Sequence, residues 1–273
     1  MTKGVLLFAH NNEIDYIKQA IYCAKHIKKH LNLPVALVTD TPGHLIKYPN
    51  HNIDFIIDVP KLPVFQKKTF YDGTYTNKKL TWNNIGRADC FHLTPFDETI
   101  VMDTDLLLGN NQLLECFASD EDLLISKQHH DLNTFRNIHQ LTKVSDTSID
   151  MYWATVFYFK KTELTETFFN LVNHIKDNWE FYRYNYDILG INFRNDFAFS
   201  IALHILKGFD SVISWPNELP AKIWYTIDKD VLIKNQSSLL FLLNNETYFP
   251  AKITNANVHV MNKFSLDRII DND

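Results

Sequence analysis

The sequence predicts an α/β fold, a mixed and mainly parallel central sheet flanked by helices. Three observations predict it. An apolar run, an amphipathic stretch and a second apolar run follow one another within the first 40 residues. Further short apolar runs recur at 54–59 and 99–102, and helical periodicity returns in the second half of the chain.

Val5 to Phe8 form the first strand, which stops at His10-Asn11-Asn12. Ile14, Ile17, Ile21, Ala24 and Ile27 then recur at helical spacing, and Leu33-Pro34 leads into VALVTD, a buried strand ending at Asp40. Strand, helix and strand on this scale make a βαβ unit with a right-handed crossover. DFIIDV, from Asp54 to Val59, reads as a third strand, and Lys78 to Phe91 carries a helical pattern. Thr99 to Met102 is a short strand running straight into Asp103-Thr104-Asp105, and Leu106-Leu107-Leu108 follows before Gly109. Asp150 to Lys160 is rich in β-branched and aromatic residues, and Leu164 to Ile175 reads as a helix. Trp179 to Phe193 is aromatic and irregular with a turn at Gly190, whereas Asp196 to Leu206 is helical with Phe197, Ile201 and Ile205 on one side. Short strands are expected around Ser211 to Ser214 and near Ile223, then a hairpin broken at Asn244-Asn245.

Composition narrows the function classes. The chain has 273 residues, 45% hydrophobic and 22% charged, enough to bury a full core and incompatible with wholesale disorder or a small disulfide scaffold. A net charge of -5 offers no global attraction for nucleic acid or anionic lipid, so such a partner would be met by a local basic patch. Lys61, Lys67, Lys68, Lys78, Lys79 and Arg87 face only Asp72 between 60 and 88, either as a solvated surface or as an anion-binding wall. Cys23, Cys90 and Cys116 are odd in number and widely spaced, which suits a reducing compartment. MTKGVLLFAHNNEID reads as a strand rather than a signal peptide, and no apolar run reaches the roughly 20 residues of a membrane span. A soluble, cytoplasmic protein is expected. No internal repeat or linker divides the chain, so residues 1–273 are expected to form a single domain.

Asp103-Thr104-Asp105 is the most informative local feature. Ligands of open α/β folds bind at the carboxyl ends of strands, and these two carboxylates stand at one. Two positions apart on a strand they point the same way, and a turn lets both approach one cation. A divalent metal carrying a diphosphate accounts for such a concentration of negative charge; capping a turn is the other reading.

With GVLLFAHNNEIDYIKQA at its start, NKKLTWNNIGRADCF in its basic segment and ETIVMDTDLLL at the acidic pair, the chain resembles the GT-A fold nucleotide-sugar glycosyltransferases, especially the family 8-like enzymes. The resemblance covers roughly residues 4 to 110 and implies a Rossmann-like GT-A domain, with residues 1–110 binding a nucleotide-sugar and 111–273 binding the acceptor and closing the site. It implies that Asp103 and Asp105 hold a divalent ion, usually Mn2+ or else Mg2+, with Thr104 between them. Ala9, His10 and Asn11 fall where such enzymes hold nucleobase and ribose, although a His-Asn-Asn turn also suits helix capping. Thr39 and Asp40 stand where uracil or ribose would be met, or simply form a turn. Lys79 is the leading basic contact to the donor phosphate or sugar, ahead of Lys78 and Arg87. Asn195-Asp196 is similar to the pair that approaches the donor sugar, with helix capping as the alternative for Asp196. In NVHVMNKF, His259 is placed as a third metal ligand and Lys263 as a diphosphate contact, but the family's flanking Gly, Pro and Trp are missing. The family's Asn-Ala-Gly segment corresponds to Met151-Tyr152-Trp153-Ala154-Thr155, where the Asn and Gly are absent and Trp153 offers a ring to stack on or a core aromatic.

The reaction implied is transfer of a sugar from a UDP-sugar donor to a hydroxyl of a carbohydrate or small-molecule acceptor, with retention at the anomeric carbon. Lysine- and aromatic-rich segments leave a hydroxymethylated base in DNA as an alternative acceptor. Two other classes stay open: a sugar-phosphate nucleotidyltransferase, disfavoured by the lack of a Gly-rich N-terminal loop, and a non-enzymatic carbohydrate- or nucleic-acid-binding module.

Overall fold

A computed structural model describes residues 1–273 apart from 62, 64–65, 84–85, 129, 137–141, 146–147, 211 and 237. Its main sheet has six strands: β1 (Lys3–Ala9), β2 (Val35–Thr39), β3 (Phe55–Asp58), β6 (Glu98–Met102), β8 (Leu123–Ile125) and β10 (Val156–Lys160). They are ordered β3-β2-β1-β6-β10-β8. β3, β2, β1 and β6 are mutually parallel, and only β10 runs against its neighbours. The fold class is therefore the one expected. Every residue of β2 and β6 is buried, as parallel strands covered on both faces require.

The crossover from β1 to β2 is α1 (Tyr16–His30), which buries Ile17, Ala20, Ala24 and Ile27 along one stripe. Asp15 caps it by accepting from the Lys18 N–H at 3.0 Å, and three basic residues fill its last turn. Beside β10, Phe157 and Phe159 meet Phe168 and Phe169 of α3 (Glu163–Asp177) and Phe199 of α5 (Asn195–Leu206); ring centroids from 4.9 to 5.2 Å apart with steep tilts mark edge-to-face packing. Tyr158, between the two phenylalanines, points to the other face and meets Phe117 edge-on.

Among the described residues three smaller sheets accompany the main one. One is ordered β7 (Leu106–Leu107), β15 (Asn257–His259), β11 (Ile223–Tyr225) and β9 (His130–Asp131). Another is the meander of β12 (Val231–Asn235), β13 (Leu239–Asn245) and β14 (Thr247–Ile253). The third is the hairpin of β4 (Lys67–Asp72) and β5 (Thr76–Thr81). Asp72 ties that hairpin to α6 (Lys263–Ile270) by accepting two hydrogen bonds from the Arg268 guanidinium, at 2.7 and 2.8 Å. Among the described residues no helix is long and apolar enough to cross a membrane.

Three expectations are corrected. The helix over 78–91 is replaced by β5, a 3-10 turn at Gly86–Asp89 and the one-turn α2 (Cys90–Leu93), with 84–85 outside the described residues. Leu80 and Trp82 repeat at period two, and cross-strand pairing with β4 outweighs helix propensity. The stretch after 178, read as irregular, starts with α4 (Trp179–Asn185). Residues 212–214 form no strand, and Ser211 lies outside the described residues.

Candidate functional site

The acidic turn leaves the end of β6 toward the smaller sheets. Asp103 donates its backbone N–H to Thr155 at 3.0 Å, and Leu106 donates back to the Asp103 carbonyl at 3.3 Å, which curls the chain and brings the two carboxylates together. β7 then pairs antiparallel with β15 in the register His259 opposite Leu106, and the Val260 N–H donates to the Asp105 carbonyl at 3.0 Å. This ladder, rather than local sequence, delivers His259 to the acidic pair. Gly109 keeps it closed, because a Cβ there would lie 2.4 Å from the Ala256 carbonyl oxygen.

His259 Nε2 stands 3.0 Å from Asp105 Oδ2 and 3.4 Å from Asp103 Oδ2. One ligand atom from each of the three residues fits within a group no wider than 4.8 Å. Burial, with Arg87 and Lys68 nearby, pushes the His259 imidazole down to about 3, so it is neutral and keeps a lone pair to offer. Two carboxylates and a neutral imidazole suit a divalent cation of the hard to borderline kind. The ring of Tyr225 meets His259 edge-on at 5.4 Å, while Nδ1 has no hydrogen-bond partner among the described residues.

Cations offset this negative charge. Arg87 pairs with Asp103, and Lys263, the first residue of α6, pairs with Asp105. Burial lowers Arg87 to about 10, leaving it charged at neutral pH. Burial also pulls Lys263 well below the usual lysine range, helped by Lys68 and Arg87. Gly86 lets the 3-10 turn that carries Arg87 pass close to the end of β1, since a Cβ there would come 2.9 Å from His10 Nε2.

These groups line one cavity of about 1140 Å³, together with Lys68, Thr104, Trp153, Thr155, Asp196, Phe197 and Asp228. Asp196 does not cap α5; that position belongs to Arg194. Its Oδ1 accepts from the Ala154 N–H at 2.9 Å and its Oδ2 from Arg194 at 2.8 Å. Trp153 is almost fully buried and lines the cavity with its ring 5.2 Å from that of Tyr225, so it is both a core aromatic and a wall.

An adjoining groove of about 440 Å³ is lined by His10, Asn11, Asn12, Asp40 and Lys61, and His10 belongs to both spaces. His10 Nδ1 lies 3.8 Å from Asp40 Oδ1, and burial lowers its pKa against the pull of that carboxylate. Asn11 serves helix α1, accepting from the Ile17 N–H at 2.9 Å and donating to Asp15 at 2.8 Å. Thr39 is fully buried and its hydroxyl accepts from the Thr41 N–H at 3.2 Å; Ala9 is likewise buried in the core.

Of the residues singled out in the sequence, the structure gathers His10, Asp103, Thr104, Asp105, Asp196, His259 and Lys263 around the cavity, and Asn11 and Asp40 around the groove. Lys79 is not among them: it is exposed on β5 opposite Thr69, whereas Lys68, opposite Leu80 on the alternate face, enters the cavity. A strand turns successive side chains to opposite faces, and the helical reading of 78–91 concealed that Lys79 lies on the outward one. Burial lowers Lys68, with Asp228 opposing. Lys68 and Phe70 at alternate positions were the available signal; for Arg194 only its proximity to Asp196 in sequence pointed inward.

No protein-family model and no curated protein sequence matches this chain. Among solved structures, it is similar to the apo form of the glycosyltransferase GlyE of Streptococcus pneumoniae TIGR4, at 14% identity and a TM-score of 0.41. A second GlyE structure gives 14% identity and a TM-score of 0.40. In both cases the match covers 76% of this chain and 43% of the GlyE chain, so this chain spans less than half the length of those structures.

Proposed function

We propose that the protein is a metal-dependent glycosyltransferase that moves a sugar from a UDP-sugar to a hydroxyl of a carbohydrate or small-molecule acceptor. The observation that carries this reading is the convergence, in one cavity, of the Asp103, Asp105 and His259 ligand atoms with the cations Arg87, Lys68 and Lys263. A site meant only for a cation gains nothing from three positive side chains around it. A site for a cation together with a diphosphate needs both signs of charge.

Asp103, Asp105 and His259 would hold a manganese or magnesium ion, which supplies positive charge against that building on the departing diphosphate. Arg87 and Lys263 are already fixed beside the two carboxylates, and Lys68 reaches in from β4, so all three can donate to phosphate oxygens as the glycosidic bond breaks. The groove at His10 and Asp40 offers a ring and a carboxylate to a nucleobase and ribose. Asp196, held by Ala154 and Arg194, is placed to orient a hydroxyl of the donor sugar or acceptor.

A panel of nucleotide-sugars with manganese tests the reading, with mass spectrometry used to search carbohydrates and hydroxymethylated DNA for a transferred mass. Metal-dependent consumption of a UDP-sugar, lost in Asp105→Asn, is the expected result. Release of pyrophosphate from a nucleoside triphosphate and a sugar phosphate, without consumption of any UDP-sugar, would replace it with nucleotidyl transfer. A mass gained by DNA alone would change the acceptor class and leave the donor side standing.

A further inference from the structure

The cavity has a second, apolar end. The chain leaves α4 through Asp187, in the left-handed region at φ 52°, and buries Ile188, whose N–H donates to the Arg183 carbonyl at 2.8 Å. It then projects Leu189-Gly190-Ile191 outward before Phe193 returns to the core, edge-on to Trp179 at 5.4 Å. The indole of Trp179 donates to the Ile191 carbonyl at 3.0 Å, fixing the base of the projection. Leu189 and Ile191 are thus held 92% and 72% exposed, and both line the mouth of the cavity. Phe181 and Tyr184 stand exposed on the preceding α4, and Phe197 lines the cavity within.

Large aliphatic side chains held in water by an anchored backbone contribute nothing to the fold, whereas covering them with a ligand removes apolar surface from water. Charge on this rim does not favour an anionic surface: Arg183 is paired with Glu180 at 2.8 Å, and the chain as a whole is acidic at -5. We infer that the outer half of the cavity receives an acceptor whose hydroxyl-bearing head is joined to an apolar group, an alkyl chain or an aromatic ring, and that Leu189 and Ile191 bind that group. This deepens the glycosyltransferase reading and rests on it for the word acceptor. The contact itself is a matter of apolar binding at the rim and can be measured without turnover.

The probes are hexyl β-D-glucoside, phenyl β-D-glucoside and methyl β-D-glucoside, titrated calorimetrically below micelle-forming concentrations. Hexyl or phenyl glucoside is expected to bind at least about tenfold more tightly than the methyl compound, because the added carbons leave water at the rim. In a Leu189→Ser, Ile191→Ser double variant that advantage should fall to within about twofold, with melting temperature and manganese affinity unchanged because both side chains are exposed and apart from the ligand groups. Which of the two probes gains more separates an alkyl from an aryl source, and either result supports the inference. Equal affinities for all three, or an advantage that survives in the double variant, would overturn it. Binding to phosphatidylcholine vesicles, or self-association, that disappears in the double variant would overturn it too, making the rim a membrane or subunit contact. Failure of the donor reading registers elsewhere, as no manganese-dependent consumption of any UDP-sugar, so the two can fail separately.

Discussion

The carboxylate of Asp196 accepts a hydrogen bond from the backbone N–H of Ala154 at 2.9 Å. Arg87 donates to the carbonyl of that same alanine and pairs with Asp103, so α5, the segment before β10 and the acidic turn are joined in one line. Asp196, for which helix capping was the alternative reading, leaves the cap position to Arg194 and couples that helix to the cavity wall. Asp196→Asn keeps an oxygen for Ala154 and removes the charge facing Arg194. We expect a folded protein with near-native melting temperature and retained manganese and UDP binding. Sugar transfer should slow by at least about tenfold, or roughly 1.4 kcal/mol at the transition state. Full transfer activity in this variant would remove the charge from the mechanism.

Asp105→Asn should weaken manganese binding by at least about a hundredfold, roughly 2.7 kcal/mol, measured by titration calorimetry. The same change strands Lys263, which pairs with Asp105 in a buried setting. Burial already pulls this lysine well below its usual range, so without the carboxylate it sheds its proton more readily, and loss of the ion pair should make the metal-free variant melt earlier. Adding Lys263→Met should recover part of that stability without recovering the metal. Wild-type manganese affinity in Asp105→Asn would exclude this aspartate from the ligand set.

Manganese itself should stabilise the wild-type protein. At a concentration about one hundred times Kd, binding to the native state alone adds about 2.7 kcal/mol, which for a chain of this size raises the melting temperature by roughly 5 °C or more. Scanning calorimetry with and without a chelator measures the shift. The increment should vanish in His259→Ala if the imidazole is a ligand.

Lys68 and Lys79 make a paired test of which face of the hairpin matters. Lys68 lines the cavity and Lys79 points away, so Lys68→Ala should raise KM for the donor by about tenfold, while Lys79→Ala should stay within about twofold. Steady-state kinetics at subsaturating donor separates them. Equal effects would mean that the hairpin rearranges on binding.

The Asp72 tie between the hairpin and α6 makes a pH-dependent contribution. Hydrogen bonds and charge from Arg268 hold the Asp72 carboxyl below its ordinary value of 3.8. A depressed carboxyl stabilises the fold fully above its unfolded pKa and loses that contribution as pH falls through the folded value. Asp72→Asn should therefore be less stable than wild type at pH 6, by up to about 1 kcal/mol for a partly exposed pair. The difference should close at an acid pH below the folded value, itself lower than 3.8. Urea melts at both pH values measure it; a gap that persists in acid would assign the effect to packing.

The βαβ start, the strand before the acidic pair and the α3 and α5 helices were legible because burial imposes periodicity on local sequence. Asp103 and Asp105 were legible for the same reason: they end an apolar strand. Arg87, Lys68 and Arg194 enter one cavity from a 3-10 turn, a hairpin strand and a helix N-terminus, and no local pattern records that convergence. Lys79 misled because one residue of offset on a strand reverses the face, and reading 78–91 as helical hid that alternation. His259 was reached only through family resemblance, since the pairing of β15 with β7 that brings it to the acidic turn joins distant parts of the chain.

That pairing also has a kinetic meaning. The ladder between β7 and β15 contains two residue pairs and closes a loop of more than half the chain, so its entropy cost is met late, after the local βαβ unit has formed. Opening those two pairs would separate His259 from the carboxylates while the parallel sheet stays intact. A cation bound there would act as a clasp on a late closure of the fold, leaving the rate of folding nearly untouched and lengthening the lifetime of the folded state.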